Sequence, residues 1–260
     1  MTRLILSTYT LLAREVILFF RQKNRLIGAL LQPFIFWLLI GSGFNASFSP
    51  SNIENVSYIE FFFPGIILMI ILFTSIFSTI GIIEDRKEGF LQGVLIAPVP
   101  RSGIVLGKVL GGTCLGVMQG FLFMLLILTP LVSINMTIGG VFLVLGVMCI
   151  LGFGITGLGT VIAWGMDSIQ GYHAIMSVVL FPLWIFSGAV FPLEGTPVWL
   201  YWIMKLNPLT HGLDLMRQGF YLGSDQLIMG LKSTVISGAY LVTFSIFNFV
   251  LATWMVGKRR

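Results

Sequence analysis

Five long stretches without any Asp, Glu, Lys or Arg constrain the fold of this chain more than any other feature. A helix needs about 20 residues to cross the ~30 Å hydrocarbon core of a bilayer, and each stretch is long enough for that. The third can cross twice, with a break near Pro130 and the Gly139–Gly140 pair. The stretches are residues 26–53, 61–83, 109–166, 168–193 and 233–257. The sequence therefore predicts an all-α polytopic membrane protein with six spans.

The overall composition excludes a water-soluble domain. Charged residues make up 10% of the chain and hydrophobic residues 57%, whereas about a quarter of a soluble domain is charged. A membrane β-barrel would show segments of about ten residues with alternating polarity. The stretches here are continuously apolar instead, so the spans are predicted to be helices in contact with membrane lipid.

The positions of the basic residues predict how the chain lies in the membrane. They cluster before the first span, around the loop 84–108 and at the C-terminal end. Because cytoplasmic segments carry the excess of Lys and Arg, both termini and this loop are predicted to be cytoplasmic. The net charge of +5 is thus a topology signal, and no nucleic-acid partner is expected. The expected location is a bacterial-type inner (plasma) membrane, crossed several times.

The first 25 residues differ from the spans because they mix apolar and charged side chains. The stretch TRLILSTYTLLAREVILFFR contains Arg3, Arg14, Glu15 and Arg21, which is too polar for a span. It suits a helix lying in the inner interface with its arginines among the lipid headgroups. The segment 1–25 is therefore predicted to be an interfacial helix. A longer first transmembrane helix with a ragged start is the alternative.

Residues 192–225 form neither a span nor a hydrophilic loop. Pro192, Pro197 and Pro208 divide the segment into pieces of about ten residues, each too short to cross a bilayer. Trp199 and its aromatic neighbours are typical of a membrane–water boundary. We expect a re-entrant or interfacial helical pair on the outer side, with Asp214 and Arg217 paired at its surface.

The third span carries glycines at four-residue spacing, which lets helix backbones approach closely in lipid. We expect these glycines to line helix contacts. The two series are Gly103, Gly107 and Gly111, and Gly112, Gly116 and Gly120.

The sequence contains no recognisable catalytic or metal-binding set. Gly107–Lys108 resembles the end of a phosphate-binding loop, but the first glycine of that motif and its Ser/Thr are missing. His173 and His211 are predicted on opposite sides of the membrane, and Cys114 falls within a span. Charge is also nearly absent from the spans, whereas ion-driven carriers usually keep some there. The chain is therefore predicted not to be an enzyme, and any transport energy should come from another subunit.

One charged island interrupts the apolar chain, in the stretch EDRKEGFLQGVLIAPVP. Gly89 ends the charged run, and a short helix follows with Leu91 and Leu95, stopped by Pro98. A solvated loop does not need so many exposed apolar side chains, so we expect a small amphipathic helix presented to a partner's groove. A connector that only settles among headgroups is the alternative. The island's charged residues are Glu84, Asp85, Arg86, Lys87 and Glu88.

This island and two further stretches resemble ABC-2 type transporter permeases. EDRKEGFLQGVLIAPVPRSGIVLGKVLGG is similar to the family's segment between spans two and three, where E-R-E-x-G leads to L-x-x-x-P and then G-K. FFFPGIILM precedes it. FSGAVFPLEGTPVWLYWIMKLNPLTHGLDLMRQGF is similar to a later F-P, P-x-W, N-P-[LI]-[TY] and arginine series, which covers Asn207, Pro208 and Arg217. One departure is Asp85–Arg86–Lys87, where E-R-E or E-K-E is common.

The resemblance implies that residues 1–260 form one transmembrane domain, which works as a homodimer in an ABC exporter. Separate ATPase subunits would bind ATP and Mg²⁺, and this chain itself would hold no cofactor. The segment 84–100 would contain the coupling helix on the ATPase, and the N-terminal helix would also touch that subunit. The implied coupling residues are Glu84, Asp85, Arg86, Lys87, Glu88, Gly89, Leu91, Leu95 and Pro98.

The cargo implied by the family is broad: hydrophobic drugs, lipids or lipid-linked glycans. Two other functions remain open from the residues alone. One is a stand-alone secondary carrier or channel that needs no ATPase, and the other is a membrane scaffold that transports nothing.

Overall fold

The computed structural model describes residues 2–45, 57–222 and 233–258. Within these ranges the chain is helical and has no strands, which confirms the all-α prediction. The helices are α1 (Thr2–Arg21), α2 (Lys23–Asn45), α3 (Tyr58–Ser78), α4 (Ile80–Lys87), α5 (Phe90–Ile96), α6 (Arg101–Met124), α7 (Ile138–Trp164), α8 (Ile169–Trp184), α9 (Val198–Leu206), α10 (Pro208–Phe220) and α11 (Thr234–Lys258).

Six helical segments of the described chain are long and apolar enough to span a membrane, which confirms the predicted number. The second combines α3 and α4. Residues 46–53 of the predicted first span, and most of the outer segment that follows it, lie outside the described residues. The six segments are Ile27–Phe44, Tyr58–Lys87, Arg101–Leu128, Ile138–Trp164, Ile169–Ala189 and Thr234–Lys258.

Helix α3 forms the centre of the bundle. It packs against α2, α6, α7, α8 and α10, and 72% of its spanning window is buried. Its first turn is fixed by a capping box between Ser57 and Glu60, which satisfies backbone N–H groups that a helix start leaves free. The Glu60 carboxylate also accepts a hydrogen bond from the Ser133 backbone N–H at 3.2 Å. The start of α3 thus holds the loop between α6 and α7.

The glycines of α6 pack against different helices on its two sides. A Cβ atom on Gly107 would lie 2.8 Å from Leu11 Cβ of α1, and one on Gly111 would lie 2.8 Å from Glu15 Cβ. On the other side, Gly112 faces Ser78 and Thr156, Gly116 faces Ser75, and Gly120 faces Met148 and Ile71. Real Cβ atoms do not come this close to another atom, so these glycines allow α1, α3 and α7 to approach the α6 backbone.

Residues 192–222 form two helices with opposite environments. Helix α9 is exposed along an apolar side that includes Val198, Trp199 and Trp202, whereas nearly every residue of α10 is buried. A π-helical turn at Ile185–Ala189 follows α8 and leads into this segment. Within this turn, Gly188 has a φ of 87°. Pro192 lies half-buried in the loop before α9, and residues 223–225 lie outside the described residues.

Candidate functional site

Helix α4 divides the charged island into an inward and an outward side. The side chains of Asp85 and Arg86 turn into the protein, whereas Glu84, Lys87 and Glu88 are exposed. The Asp85 side chain is only 3% exposed. The island is therefore not one solvated cluster, because two of its members are part of the packed structure.

Asp85 belongs to a buried charge cluster that joins three helices. It accepts two hydrogen bonds from the Arg14 guanidinium of α1, at 3.1 Å and 2.6 Å. The Lys108 ammonium of α6 donates to both Asp85 and Glu15. We call Arg14, Glu15, Asp85 and Lys108 the buried charge cluster. It consists of two acids and two bases, so its charges balance.

The buried charge cluster makes the positions of α1, α4 and α6 depend on one another. Each charge has an opposite charge within hydrogen-bonding distance. Breaking a buried pair by removing one partner typically costs about 3–5 kcal/mol, because the remaining charge is left uncompensated. A displacement of α4 without α1 would break the bidentate contact between Arg14 and Asp85. The three helices are therefore expected to move as a unit.

Sequence reasoning missed this cluster, because its members are far apart in the chain and were assigned to different environments. Arg14 was expected among lipid headgroups, but it binds Asp85 across 71 residues of sequence. The outward side of α1 carries apolar residues instead, including Ile5, Leu6 and Ile17. The one available signal was Lys108, a lone lysine among the glycines of an apolar helix.

Arg86 binds the C-terminal end of α7. Its guanidinium donates to the backbone carbonyls of Trp164 at 2.8 Å and Met166 at 3.0 Å, and to the Asp167 carboxylate at 2.9 Å. The last carbonyls of a helix lack partners within the helix, and a cation there is favourable. Arg86 thus ties α4 to the end of α7.

Helix α5 is anchored at its start and projects at its end. Gly89 turns the chain between α4 and α5 with φ 80°, a conformation that favours glycine. The Arg14 guanidinium lies 3.9 Å from the centre of the Phe90 ring, and Leu91 is buried although it was expected on the presented side. Leu95 is half-buried, and Pro98 follows the helix. Ile96 is 85% exposed, so the tip of α5 is its most exposed apolar part.

The comparison with known protein families decides the identity of the chain. The profile of the family described as "ABC-2 type transporter" matches residues 7–221. The chain belongs to the ABC-2 type transporter family.

Individual relatives agree with this assignment. The chain is 32% identical to the transport permease ycf38 of Cyanophora paradoxa, covering 82% of this chain and 73% of the relative. It is 26% identical to nodulation protein J of Rhizobium meliloti, covering 90% and 86%. It is 27% identical to YbhR of Escherichia coli, named as a multidrug ABC transporter permease, covering 63% and 44%. This chain is thus a membrane transport permease of the ABC transporter class.

The later family motif of this ABC-2 permease forms the start of α10. The Asn207 side chain accepts a hydrogen bond from the Leu209 N–H at 3.0 Å and donates one to the Leu183 carbonyl at 2.7 Å. Pro208 occupies the first turn, where its missing N–H costs nothing. These two residues fix where α10 begins and join it to the end of α8.

Arg217 and Asp214 lie inside the permease, although they were expected at its outer surface. Arg217 donates to the Gly188 carbonyl at 2.8 Å and lies 4.2 Å from the centre of the Phe61 ring. Burial lowers the pKa of Arg217 to about 10, so it remains charged at neutral pH. Asp214 accepts hydrogen bonds from Ser237 and Gln218, both at 3.1 Å. The two residues join α10 to the end of α8 and to α11.

His211 connects α9, α10 and α11. Its ring lies between the Lys205 carbonyl at 3.0 Å and the Ser237 hydroxyl at 3.3 Å, and it stacks on Tyr240 with centroids 4.2 Å apart. Burial, and to a lesser degree the Lys205 charge, lower the pKa of His211. In the described residues, no three His, Cys, Asp or Glu side chains lie close enough to hold a metal ion.

A lateral groove opens between α2, α3 and α8. Its volume is about 330 Å³, and we call this space the lateral groove. Its walls are mostly apolar and include five phenylalanines, and a few polar side chains such as Gln32, Thr74 and Ser177 also line it. The groove lies in the half of the bundle that is nearer to the buried charge cluster.

Proposed function

We propose that this permease forms the translocation path of an ABC exporter and is driven by a separate ATPase that docks on the tip of α5. ATP and Mg²⁺ are bound by that partner. The observation that carries the proposal is the connection from α5 to the spans. The exposed Ile96 lies at the end of a helix whose first residue, Phe90, contacts Arg14 of the buried charge cluster.

The contacts define how a displacement at α5 would reach the spans. A push on α5 moves α4, which precedes it in the chain and is joined to it by a single turn at Gly89. Asp85 then transmits the displacement to α1 and α6, and Arg86 transmits it to the end of α7. Packed elements with polar links respond as units, because breaking such links is costly. The pair of helices α4 and α5 is therefore the lever that the proposal assigns to α1, α6 and α7.

A homodimer is supported by the surfaces of α2 and α8. Only 17% of the first spanning window and 22% of the fifth are buried in one copy, compared with 72% of the second. Their exposed sides also carry polar residues, namely Gln32, His173 and Ser177. Polar groups that face lipid are unfavourable, and they usually face another helix. We propose that these two helices face a second copy of the chain.

The proposed orientation places α1, α4 and α5 on the cytoplasmic side of an inner (plasma) membrane, together with both termini. The positive-inside rule supports this orientation, because Arg14, Arg86, Lys87 and Lys108 lie at this end of the bundle. Helix α9 would then lie at the outer boundary, where exposed tryptophans such as Trp199 are common. The cargo proposed for the path is a hydrophobic drug, lipid or lipid-linked glycan.

The ATPase coupling can be tested with one exposed residue. The permease is purified in mild detergent, and the ATPase activity that co-purifies with it is measured. We expect Ile96→Asp to lower this activity at least about tenfold, because a central apolar contact carries much of the binding energy of an interface. Val198→Asp is the matched control, because Val198 is also a mostly exposed aliphatic residue, at the opposite end. Its ATP hydrolysis should equal that of the unchanged chain.

Two results would overturn the proposed coupling. One is full ATP hydrolysis in the Ile96→Asp complex at an unchanged ratio of subunits. The other is cargo transport by the purified chain alone in liposomes without ATP, which would identify a stand-alone carrier or channel.

A further inference from the structure

The second span is interrupted between α3 and α4, at Thr79. Thr79 has a ψ of −9°, whereas residues in an α-helix have a ψ of about −42°. Its backbone N–H donates to the Ile76 carbonyl, and the Ile82 N–H donates to the Thr79 carbonyl, both at 3.0 Å. These bonds join residues three apart, as in a 3₁₀-helix, and a short stretch of this kind inside a helix often marks a hinge. We call residues 76–82 the α3–α4 joint.

The hydroxyl group of Tyr172, in the first turn of α8, binds the α3–α4 joint. It donates to the Ile76 carbonyl at 3.2 Å and lies 2.7 Å from the Thr79 hydroxyl. The Thr79 hydroxyl itself donates to the Ile76 carbonyl at 2.7 Å. Both side chains are buried, and a buried polar group that loses its partner is costly because no water replaces it. Tyr172 therefore holds the start of α8 to the joint.

The packing leaves no space on the α7 side of Thr79. A Cβ atom on Gly159 of α7 would lie 2.9 Å from Thr79 Oγ1 and 3.0 Å from Thr79 Cγ2. The α7 backbone thus lies directly against the Thr79 side chain. Protein interiors that are packed this closely transmit a displacement. A movement of Thr79 is therefore passed to the Tyr172 side chain, its hydrogen-bonded neighbour.

Another contact of α4 comes near α8 but is weak. Arg86 pairs with Asp167, which lies in the loop before α8, and that carboxylate side chain is 83% exposed. Exposed ion pairs contribute little, because water and salt screen them. The buried contact of Tyr172 is therefore the stronger connection from the joint to α8, which forms one wall of the lateral groove.

We propose that Tyr172 is a positioning residue that passes a displacement of α4 to α8. When α4 turns at the joint, the Thr79 hydroxyl shifts relative to the Ile76 carbonyl of α3. Tyr172 is bound to both groups, so the first turn of α8 moves with them. The source of this displacement, an ATPase docked on α5, rests on the proposed function. The hydrogen bonds of Tyr172 add the response of the fifth span.

Hydrogen–deuterium exchange of the complex between the permease and its ATPase tests this role. Exchange is compared without nucleotide and with ATP trapped by vanadate, in the last turn of α7 and the first two turns of α8. In the unchanged chain we expect ATP to change the exchange of both segments, because exchange reports local opening. In Tyr172→Phe we expect the change in α8 to be lost. The change in α7 should remain, because Arg86 still binds there.

Three further variants separate the hydroxyl contact from a loss of packing. Thr79→Val nearly keeps the shape of Thr79 without its hydroxyl and should behave as Tyr172→Phe does. Thr79→Ser keeps the hydroxyl and should retain the response of α8. Tyr240→Phe is the matched control, because the Tyr240 hydroxyl also donates to a backbone carbonyl, that of Leu206 at 2.7 Å, but away from the joint. It should respond as the unchanged chain does.

The outcomes distinguish the role of Tyr172 from the proposed coupling. No ATP-dependent change in either segment of the unchanged chain would overturn both. A response of α8 that persists in Tyr172→Phe and in Thr79→Val would overturn the role of Tyr172 alone. That role would also be overturned by general destabilisation. Its signs are a lost response of α7 in Tyr172→Phe, or a lost response of α8 in Thr79→Ser or Tyr240→Phe.

Discussion

At the scale of single residues, the charges of this permease are divided between structure and surface. Asp85 lies between the exposed Glu84 and the anchored Arg86, yet it is the residue that meets both Arg14 and Lys108. An apolar environment makes such a group costly unless it is paired. Neighbouring residues of one charged run therefore have different roles, because the helical turn of α4 sends them in different directions.

Replacing Asp85 tests the structural role of the buried charge cluster. We expect Asp85→Asn to lower the free energy of unfolding by about 3–5 kcal/mol, because it leaves Arg14 and Lys108 with less negative charge between them. The adjacent Glu84→Gln is the control, since an exposed carboxylate should change stability by less than about 0.5 kcal/mol. Unfolding in detergent provides the measurement, and equal stability of the two variants would contradict the assignment.

At the scale of elements, α6 determines how closely its neighbours pack. Its glycines accept α1 on one side and α3 with α7 on the other. The hydroxyl of Thr8 on α1 also donates to the Gly103 carbonyl at 3.3 Å. The N-terminal helix is thus packed on α6 along an uncharged glycine surface and held there by Lys108.

A single methyl group should disturb this contact. We expect Gly107→Ala to destabilise the protein by about 1–3 kcal/mol, because the new Cβ would meet Leu11 Cβ at 2.8 Å and the Thr8 carbonyl oxygen at 3.0 Å. Gly146→Ala in α7 is the control, because no atom lies within 4 Å of its new Cβ. It should be neutral, or stabilising by up to about 1 kcal/mol. The thermal unfolding temperatures of the two variants are compared with that of the unchanged chain. Equal shifts in the two variants would contradict the packing of α1 on α6.

The elements were predictable from the sequence to very different degrees. The six spans follow from uncharged length alone, and the glycine spacing of α6 indicates close contacts. The partners of those glycines are not encoded locally, because α1, α3 and α7 are brought to α6 by the fold. For the same reason, the pairing of Arg14 with Asp85 was not predicted. The burial of α10 was also missed, since its His, Asp and Arg are typical of a surface.

At the scale of the whole molecule, polar connections link one end of the bundle to the spans. The α4–α5 corner is joined to α1 and α6 by the buried charge cluster and to α7 by Arg86. The opposite end is held by the Arg217 and His211 contacts among α10, α11 and the end of α8. Between them lies the lateral groove. In the proposed function, these polar connections transmit a displacement of α5 to the spans.

The central claim is that an ATPase docks on the tip of α5, and photocrosslinking in intact cells tests it most directly. A photoreactive phenylalanine analogue replaces Ile96 in one variant and Trp199 of α9 in a control, since both side chains are exposed. After irradiation, crosslinked partners are identified by mass spectrometry. We predict that the Ile96 variant yields a protein containing a Walker A motif and that the Trp199 variant does not. No such product at Ile96, or the same product at Trp199, would contradict the account.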